Sequence, residues 1–146
     1  MNEWMKIAID CAKQAMLEDE FPVGAIVVKD QVMIGSGYNR KESTHSPIAH
    51  AEILAIQDAS NTIGDWRLND TILFTTLEPC PMCLGAIIQA RIKKVVFAAK
   101  DIRWGACGSI MNFSNHPQLN HHVECEFCPN EDVVKMMKAF FSEKRG

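Results

Sequence analysis

The chain has 146 residues, of which 47% are hydrophobic and 23% charged, and its formal net charge at pH 7 is −3. A chain of this length and composition buries roughly 70% of its unfolded surface, which excludes an intrinsically disordered protein. The acidic balance excludes a protein that coats nucleic acid non-specifically, because phosphate binding of that kind needs a basic surface.

Hydrophobic periodicity predicts helices and strands that alternate along one domain, residues 1–146. In chain order the predicted elements are a helix near 2–19, strands over Val23 to Lys29 and Val32 to Tyr38, a helix from Ala49-His50 towards Ile63, a strand over Thr71 to Leu77, a helix from the Pro79/Pro81 turn through Arg91, strands over Lys93 to Ala99 and His122 to Phe127, and a helix over Val133 to Phe141. This order predicts an α/β domain in which helices pack on a mixed five-stranded sheet.

The sequence predicts a cytoplasmic protein with no membrane contact. It has no long apolar span and no cleavable leader, because Lys6, Asp10 and Lys13 interrupt the first helical stretch. Its six cysteines fall short of the density of a small disulfide-bonded scaffold, so we expect them to be reduced.

Four residues form a pattern typical of a catalytic zinc site: His50 and Glu52, followed by Cys80 and Cys83. The two cysteines lie one helical turn apart at a helix start, and His50 also opens a predicted helix. Structural zinc normally takes four protein ligands, whereas catalytic zinc takes three and keeps a position for water. The sequence therefore predicts one Zn²⁺ held by His50, Cys80 and Cys83.

Glu52 is the carboxylate left over for proton transfer, as in zinc-dependent nucleobase deaminases. Zinc lowers the pKa of a bound water from about 15.7 towards 7. Glu52 would take a proton from the water, deliver it to a ring nitrogen and then protonate the departing ammonia. A first-turn glutamate is also favoured by the helix dipole, so the position of Glu52 alone does not establish this role.

A second CxxC pair, Cys125 and Cys128, leaves two alternatives open. One is a four-cysteine zinc ribbon, and the other is a second zinc held with His121 or His122. The ribbon is disfavoured because the gap to the first pair far exceeds the roughly 15 to 20 residues of the usual pattern. It would also leave the first histidine and glutamate without a role.

Conspicuous short stretches are spread over nearly the whole chain. They are Phe21-Pro22-Val23-Gly24-Ala25, Gly37-Tyr38-Asn39-Arg40, Ala49-His50-Ala51-Glu52-Ile53, Trp66-Arg67-Leu68, Thr76-Leu77-Glu78-Pro79-Cys80, Met82-Cys83, Ala86, Arg91-Ile92, Gly105-Ala106, Gly108-Ser109, Met111-Asn112, Asn120-His121 and Phe140-Phe141. Together they resemble the bacterial tRNA-specific adenosine deaminases, which convert the wobble adenosine of a tRNA anticodon to inosine. The zinc residues alone would also fit cytidine, deoxycytidylate, guanine or cytosine deaminases.

The resemblance implies a three-layer cytidine-deaminase-like fold and a hydrolase with one Zn²⁺ per subunit. It implies a homodimer whose partner subunit helps to build each site. The implied substrate is adenosine 34 in the anticodon stem-loop of a tRNA.

The resemblance also implies substrate contacts at matching positions. The residues of the base pocket would be Asn39, which hydrogen-bonds the flipped base, with Val23, Ala49, Leu77 and Glu78. The residues near the ribose and the flanking nucleotides would be Asp101, Arg103, Asn120, His121 and Phe141. Some have structural alternatives, since Asn39 can cap a turn and Asp101 can shape a loop.

Two departures from the family pattern bear on the substrate. Ile102-Arg103-Trp104 replaces a smaller stretch that contains Pro or Lys in relatives, and Trp104 either stacks on RNA or packs in the fold. The chain stops at Arg145-Gly146, without the basic tail of many relatives. Both keep open a deaminase of a free base or nucleoside, such as guanine, cytosine or cytidine. A non-catalytic RNA-binding module with structural zinc is a further alternative.

Overall fold

The structure is a computed structural model that describes residues 2–145, with side chains described for residues 3–143. Its elements in chain order are α1 (Asn2–Leu17), β1 (Gly24–Lys29), β2 (Val32–Tyr38), α2 (Lys41–Thr44), α3 (Ala51–Ile63), β3 (Thr71–Thr75), α4 (Pro81–Gln89), β4 (Lys94–Phe97), β5 (Glu124–Phe127) and α5 (Glu131–Arg145). No described helix is long and apolar enough to cross a membrane.

The five strands form one mixed sheet in the order β2-β1-β3-β4-β5. β1 pairs antiparallel with β2 and β3, whereas β3, β4 and β5 run parallel to one another. The parallel β3–β4 pair needs a crossover, and α4 supplies it. The predicted α/β fold with a mixed five-stranded sheet is confirmed.

Strand β1 lies inside the sheet because its residues are apolar on both faces. Ala25 and Val27 point into a core shared with α3 and α4, and Ile26 and Val28 point into a second core shared with α1 and α5. Helices therefore cover both faces of the sheet, which gives three layers.

Gly37 of β2 lets α3 approach the sheet closely. A Cβ atom at Gly37 would lie 2.6 Å from the Ala51 carbonyl oxygen and 2.7 Å from the Ala55 nitrogen, both backbone atoms. Because backbone cannot move aside as a flexible side chain can, this contact requires glycine. It fixes the first turns of α3, which carry His50 and Glu52.

The observed elements differ from the predicted ones mainly at their ends and at α2. Helix α5 is longer than predicted, and the predicted strands, except β2, are shorter. The short helix α2 was not predicted. Its first N–H groups donate to the buried carboxylate of Glu20, at 3.1 Å from Glu42 and 2.7 Å from Ser43. Because the carboxylate that caps α2 lies 22 residues away in sequence, no local sequence pattern predicts this helix.

Candidate active site

Two helix N-termini bring the predicted zinc ligands together. His50 is the N-cap of α3, Cys80 is the N-cap of α4, and Cys83 lies in the first turn of α4. Pro81 opens α4 at a position where the missing N–H of proline costs no hydrogen bond. We call His50, Cys80 and Cys83 the metal triad.

The geometry of the metal triad fits a zinc ion. The His50 Nδ1 atom lies 3.7 Å from Cys80 Sγ and 3.4 Å from Cys83 Sγ, and the ligand atoms of all three residues lie within 4.8 Å of one another. A tetrahedral centre with Zn–N and Zn–S bonds of about 2.0 and 2.3 Å separates its nitrogen and sulfur ligands by about 3.6 Å. One imidazole and two thiols are ligands that zinc prefers, and the prediction of a single zinc site per chain is confirmed.

The protonation of the metal triad is set by hydrogen bonds among its members. A hydrogen bond from the Cys83 thiol lowers the pKa of Cys80 to about 4, so Cys80 is a thiolate at neutral pH. The hydrogen bond to Cys80 raises the pKa of His50, and the bond to Cys80 together with burial raises the pKa of Cys83. A metal ion must therefore displace protons from His50 and Cys83 when it binds.

Glu52 lies in the first turn of α3 beside the metal triad, and only 4% of its surface is exposed. Burial raises the pKa of its carboxyl group to about 7. At neutral pH the protonated and ionised forms are therefore both populated, which suits a group that must accept and return a proton.

The metal triad opens into a cavity of about 560 Å³, which we call the zinc cavity. Its lining residues are Phe21, Val23, Asn39, Lys41, Pro47, His50, Ala51, Glu52, Leu77, Glu78, Cys80, Pro81, Met82, Asp101 and Trp104. Five of the predicted substrate contacts are among them, namely Val23, Asn39, Leu77, Glu78 and Asp101.

The Asn39 side chain caps a turn and also faces the zinc cavity. Its Nδ2 donates to the Phe21 carbonyl oxygen at 3.2 Å, and its Oδ1 accepts from the Lys41 N–H at 3.2 Å. An amide has two donor hydrogens and two acceptor lone pairs, so each end keeps one for a ligand. The structural and the substrate-binding readings of Asn39 are compatible.

The other predicted contacts lie outside the wall of the zinc cavity. Ala49 is buried beside His50, whereas Arg103 and Asn120 are exposed. His121 is half-buried, with Nε2 2.8 Å from the Ile92 carbonyl oxygen, so this nitrogen carries a proton. The half-exposed ring of Phe141 lies 5.2 Å from the ring of Phe21, which brings the end of α5 to the cavity wall.

Glu78 anchors the loop of residues 101–109. Its buried carboxylate accepts the N–H groups of Asp101 at 3.1 Å, Cys107 at 2.9 Å and Ser109 at 3.1 Å, and it also accepts the Ser109 hydroxyl. A Cβ atom at Gly105 would lie 2.4 Å from the Asp101 carbonyl oxygen and from Glu78 Cδ, so the loop wraps closely around this carboxylate. The sequence predicted Glu78 only as part of the pocket wall.

Several residues near the zinc cavity were missed by sequence reasoning. Lys41 and Pro47, from the segment between Asn39 and His50, both line it. Their position between two predicted site residues could have indicated this. Glu20 holds that segment through its hydrogen bonds to α2. No sequence pattern indicates this role, because its hydrogen-bond partners are distant in sequence.

The second CxxC pair does not form one metal centre. Cys125 packs in the core on the α3 and α4 side of the sheet, and Cys128 packs on the α1 and α5 side. The sheet therefore lies between the two side chains, although Cys128 follows the end of β5 directly. Among the described residues, the only group of histidine, cysteine and acidic side chains with metal-site spacing is the metal triad.

The profile of the cytidine and deoxycytidylate deaminase zinc-binding region matches residues 1–99, which include the metal triad and Glu52. The tRNA-specific adenosine deaminase of Bacillus subtilis (strain 168) is 41% identical over 143 residues, which cover 97% of this chain and 89% of the relative.

Two solved structures are similar to this fold. One comes from biochemical and structural studies of A-to-I editing by tRNA:A34 deaminases at the wobble position of transfer RNA. It has a TM-score of 0.83 and 35% identity, and the match covers 87% of this chain and 98% of that chain. The other, a guanine deaminase from Bacillus subtilis, has a TM-score of 0.67 and 31% identity, and the match covers 97% of this chain and 93% of that one. The chain therefore belongs to the cytidine and deoxycytidylate deaminase family and, within it, to the tRNA-specific adenosine deaminases.

Proposed function

We propose that this protein is a zinc-dependent hydrolase that converts the wobble adenosine, position 34, of a tRNA anticodon to inosine. The observation that carries the proposal is the metal triad with the buried Glu52 beside it, in a chain that is 41% identical to a tRNA-specific adenosine deaminase over nearly its full length. A three-ligand set leaves a position for water, which hydrolysis needs and a closed structural site lacks.

The proposed reaction replaces the 6-amino group of adenine with oxygen from water and releases ammonia. When bound by the metal triad, zinc supplies an acidified water, with a pKa near 7, as the nucleophile for C6. The Glu52 carboxylate accepts a proton from the attacking water and donates it to N1 of the ring. Glu52 then takes the second proton and protonates the amine, which leaves as ammonia. Burial suits Glu52 to this cycle because its carboxyl pKa of about 7 makes both transfers accessible.

We further propose that the substrate is presented as an anticodon stem-loop. Unpaired loop bases can be splayed out of the stack and read by hydrogen bonds and stacking in a pocket. The spare donor and acceptor of Asn39 support a role in holding the flipped adenine, and the carboxylate of Asp101 in the cavity wall supports a contact near the ribose. Arg103, Phe141 and the segment of Asn120 and His121 remain proposed contacts for the flanking nucleotides.

Residues 1–146 act, in this proposal, as one nucleoside deaminase domain that forms a homodimer in the cytoplasm, where tRNAs are used. A second subunit would cover large apolar side chains that remain exposed on this one. They include Ile102, Ile110, Met111, Leu119 and Phe127.

A deaminase of a free purine base is the second candidate, and one observation favours it. The guanine deaminase from Bacillus subtilis shares the fold at 31% identity. The metal triad and Glu52 serve either substrate, since both reactions displace an exocyclic amine from a purine ring. The non-catalytic zinc module is disfavoured because it gives the buried Glu52 no function.

The test is a substrate panel offered to the purified zinc-loaded protein. The panel contains an anticodon stem-loop with adenosine at the wobble position, the same stem-loop with guanosine there, and free adenosine, cytidine, cytosine and guanine. Nuclease digestion followed by chromatography detects inosine, and a coupled assay detects ammonia. We expect inosine from the adenosine stem-loop alone. Ammonia from guanine or another free compound, with an unreacted stem-loop, would replace the proposed substrate.

A further inference from the structure

Trp104 stands at the mouth of the zinc cavity with its indole exposed. It lines the same cavity as His50, Glu52 and Cys80, yet 64% of its surface is accessible. A tryptophan whose role is packing buries its ring, because removal of apolar surface from water is what stabilises a fold. The exposed position therefore favours contact with a ligand over packing within the subunit.

The backbone that presents Trp104 is fixed by hydrogen bonds. Asp101 Oδ1 accepts the N–H groups of Arg103 at 3.0 Å and Trp104 at 3.1 Å, and the Asp101 carbonyl oxygen accepts the Gly105 N–H at 2.9 Å. The Asp101 N–H in turn donates to Glu78. A loop that is already held in place loses little backbone freedom when a ligand binds, which favours affinity.

Nucleic-acid bases are the ligand class that fits an exposed ring at this place. Every base has a π-face, so stacking on an aromatic side chain tolerates any sequence. The net charge of −3 gives this protein little general attraction for phosphates, so contacts close to the target must supply affinity. Two exposed cations can contribute such contacts: Lys41 lines the zinc cavity, and Arg103 immediately precedes Trp104 in the chain.

We propose that Trp104 is a stacking platform for the base of an unpaired nucleotide next to the target adenosine. The platform makes Trp104 a specificity residue, because a free base or nucleoside has no neighbouring base to place on it. This inference rests on the proposed function and names how the same site recognises the RNA around its target.

The first experiment measures binding of the wobble-adenosine stem-loop to protein that also carries Glu52→Ala, so that the RNA stays unreacted. We expect Trp104→Ala to raise Kd about tenfold, which corresponds to about 1.4 kcal/mol and lies within the range for base–aromatic stacking. Trp104→Phe, which keeps a ring, should stay within about threefold of the parent.

Trp66→Ala is the matched control. Trp66 is also exposed, at 53%, but it stacks on the Arg67 guanidinium at 4.5 Å and does not line the zinc cavity. Its replacement should leave Kd for the stem-loop unchanged. An equal loss of affinity for the stem-loop in the Trp66 and Trp104 variants would overturn the assignment. It would indicate a general effect of removing an exposed tryptophan.

The second experiment replaces each nucleotide flanking the target, in turn, with an abasic residue. At one flank we expect the abasic change to weaken binding about tenfold with Trp104 present and to have no further effect in Trp104→Ala, since contacting groups are not additive. If, at both flanks, the abasic change weakens binding by the same factor with and without Trp104, the proposal would be overturned.

Two further outcomes separate the possible failures. If the unsubstituted enzyme deaminates the stem-loop and Trp104→Ala keeps the parental Kd, only the Trp104 assignment fails. If the unsubstituted enzyme neither binds nor deaminates the stem-loop, the proposed function fails. A change in sedimentation coefficient on Trp104→Ala would mean that the ring lies in a contact between subunits, which would also overturn the platform.

Discussion

The Nδ1 atom of His50 lies 3.4 Å from the Sγ atom of Cys83, although the two residues are 33 positions apart. The contact exists because α3 and α4 begin at the same place over one face of the sheet. The N-terminus of α3 supplies an imidazole and the Glu52 carboxylate, and that of α4 supplies two sulfurs. The two pairs are distant in sequence and meet only in the folded chain.

Zinc content should separate the two CxxC pairs. Cys83→Ala removes one of three ligands, so the bound zinc should fall from about one ion per chain to well below one. Cys125→Ala removes a partly buried sulfur that packs against the core outside the metal triad, so zinc should stay near one ion per chain. Atomic emission on dialysed protein checks both. A zinc content that falls with Cys125→Ala and stays near one with Cys83→Ala would contradict the site.

Zinc affinity should fall as the pH is lowered. Hydrogen bonding to Cys80 raises the pKa values of His50 and Cys83 in the metal-free protein, so both hold protons that zinc must displace. Acidification strengthens this competition, and binding at neutral pH should release protons. Competition with a chromogenic chelator, corrected for the chelator's own protonation, measures the affinity from pH 6 to pH 8. A constant affinity across this range would show that the ligands are already deprotonated.

Glu78→Gln should loosen the loop of residues 101–109. The amide nitrogen of glutamine cannot accept, so either the Asp101 N–H or both the Cys107 and Ser109 N–H groups lose their acceptor, at a cost of about 1–3 kcal/mol in the free energy of unfolding. KM for the stem-loop should rise more than kcat falls, because the loop holds Asp101 while Glu52 and the metal triad are untouched. Urea unfolding and steady-state kinetics test the two effects.

Glu131→Gln, an exposed change in the first turn of α5, is the control for Glu78→Gln. It should alter the free energy of unfolding by less than about 0.5 kcal/mol and leave KM unchanged. Equal effects of the two variants would contradict an anchoring role for Glu78.

Glu20 should stabilise the protein in a pH-dependent way. Burial alone raises the pKa of Glu20, but hydrogen bonds from Ser43 and Glu42 outweigh it and hold the pKa below its usual range. A lowered carboxyl pKa contributes stability that is complete above the unfolded-state pKa of about 4.3 and is lost as the pH falls through the folded-state pKa. The difference in free energy of unfolding between the parent and Glu20→Gln should therefore be larger at pH 6 than at pH 3.

Urea unfolding of the parent and the Glu20 variant at both pH values measures that difference, and loss of zinc at low pH affects the two alike. Glu3→Gln, at an exposed position in α1, should show no comparable change. A difference that is the same at pH 3 and pH 6 would mean that the Glu20 carboxylate does not titrate with an altered pKa.

The sequence predicted the parts of this site that follow from local pattern and spacing. Strand β2 has the predicted bounds, and β1 follows its continuous apolar run with one residue fewer. The ligand set followed from residue chemistry, since a histidine, a CxxC pair and a spare carboxylate have few uses in common other than zinc catalysis. Helix α2, by contrast, was unpredictable because it depends on the carboxylate of Glu20, which only the tertiary fold brings to it.

The role of Glu78 shows the same limit. Its place next to Pro79-Cys80 suggested the pocket wall, which it does line. Its hydrogen bonds reach residues 23 to 31 positions further along the chain, across α4 and β4. Such contacts depend on how the layers pack, which hydrophobic periodicity does not specify.

Proton transfer by Glu52 is tested by the turnover of the wobble-adenosine stem-loop by Glu52→Ala protein whose zinc content is measured in the same sample. We expect about one zinc ion per chain, an unchanged fold by circular dichroism and a kcat that is lower by about 10²- to 10⁴-fold, because the metal triad is intact and the proton carrier is gone. Inosine formation at close to the parental rate by zinc-loaded Glu52→Ala protein would contradict the central claim that Glu52 moves the protons of the reaction.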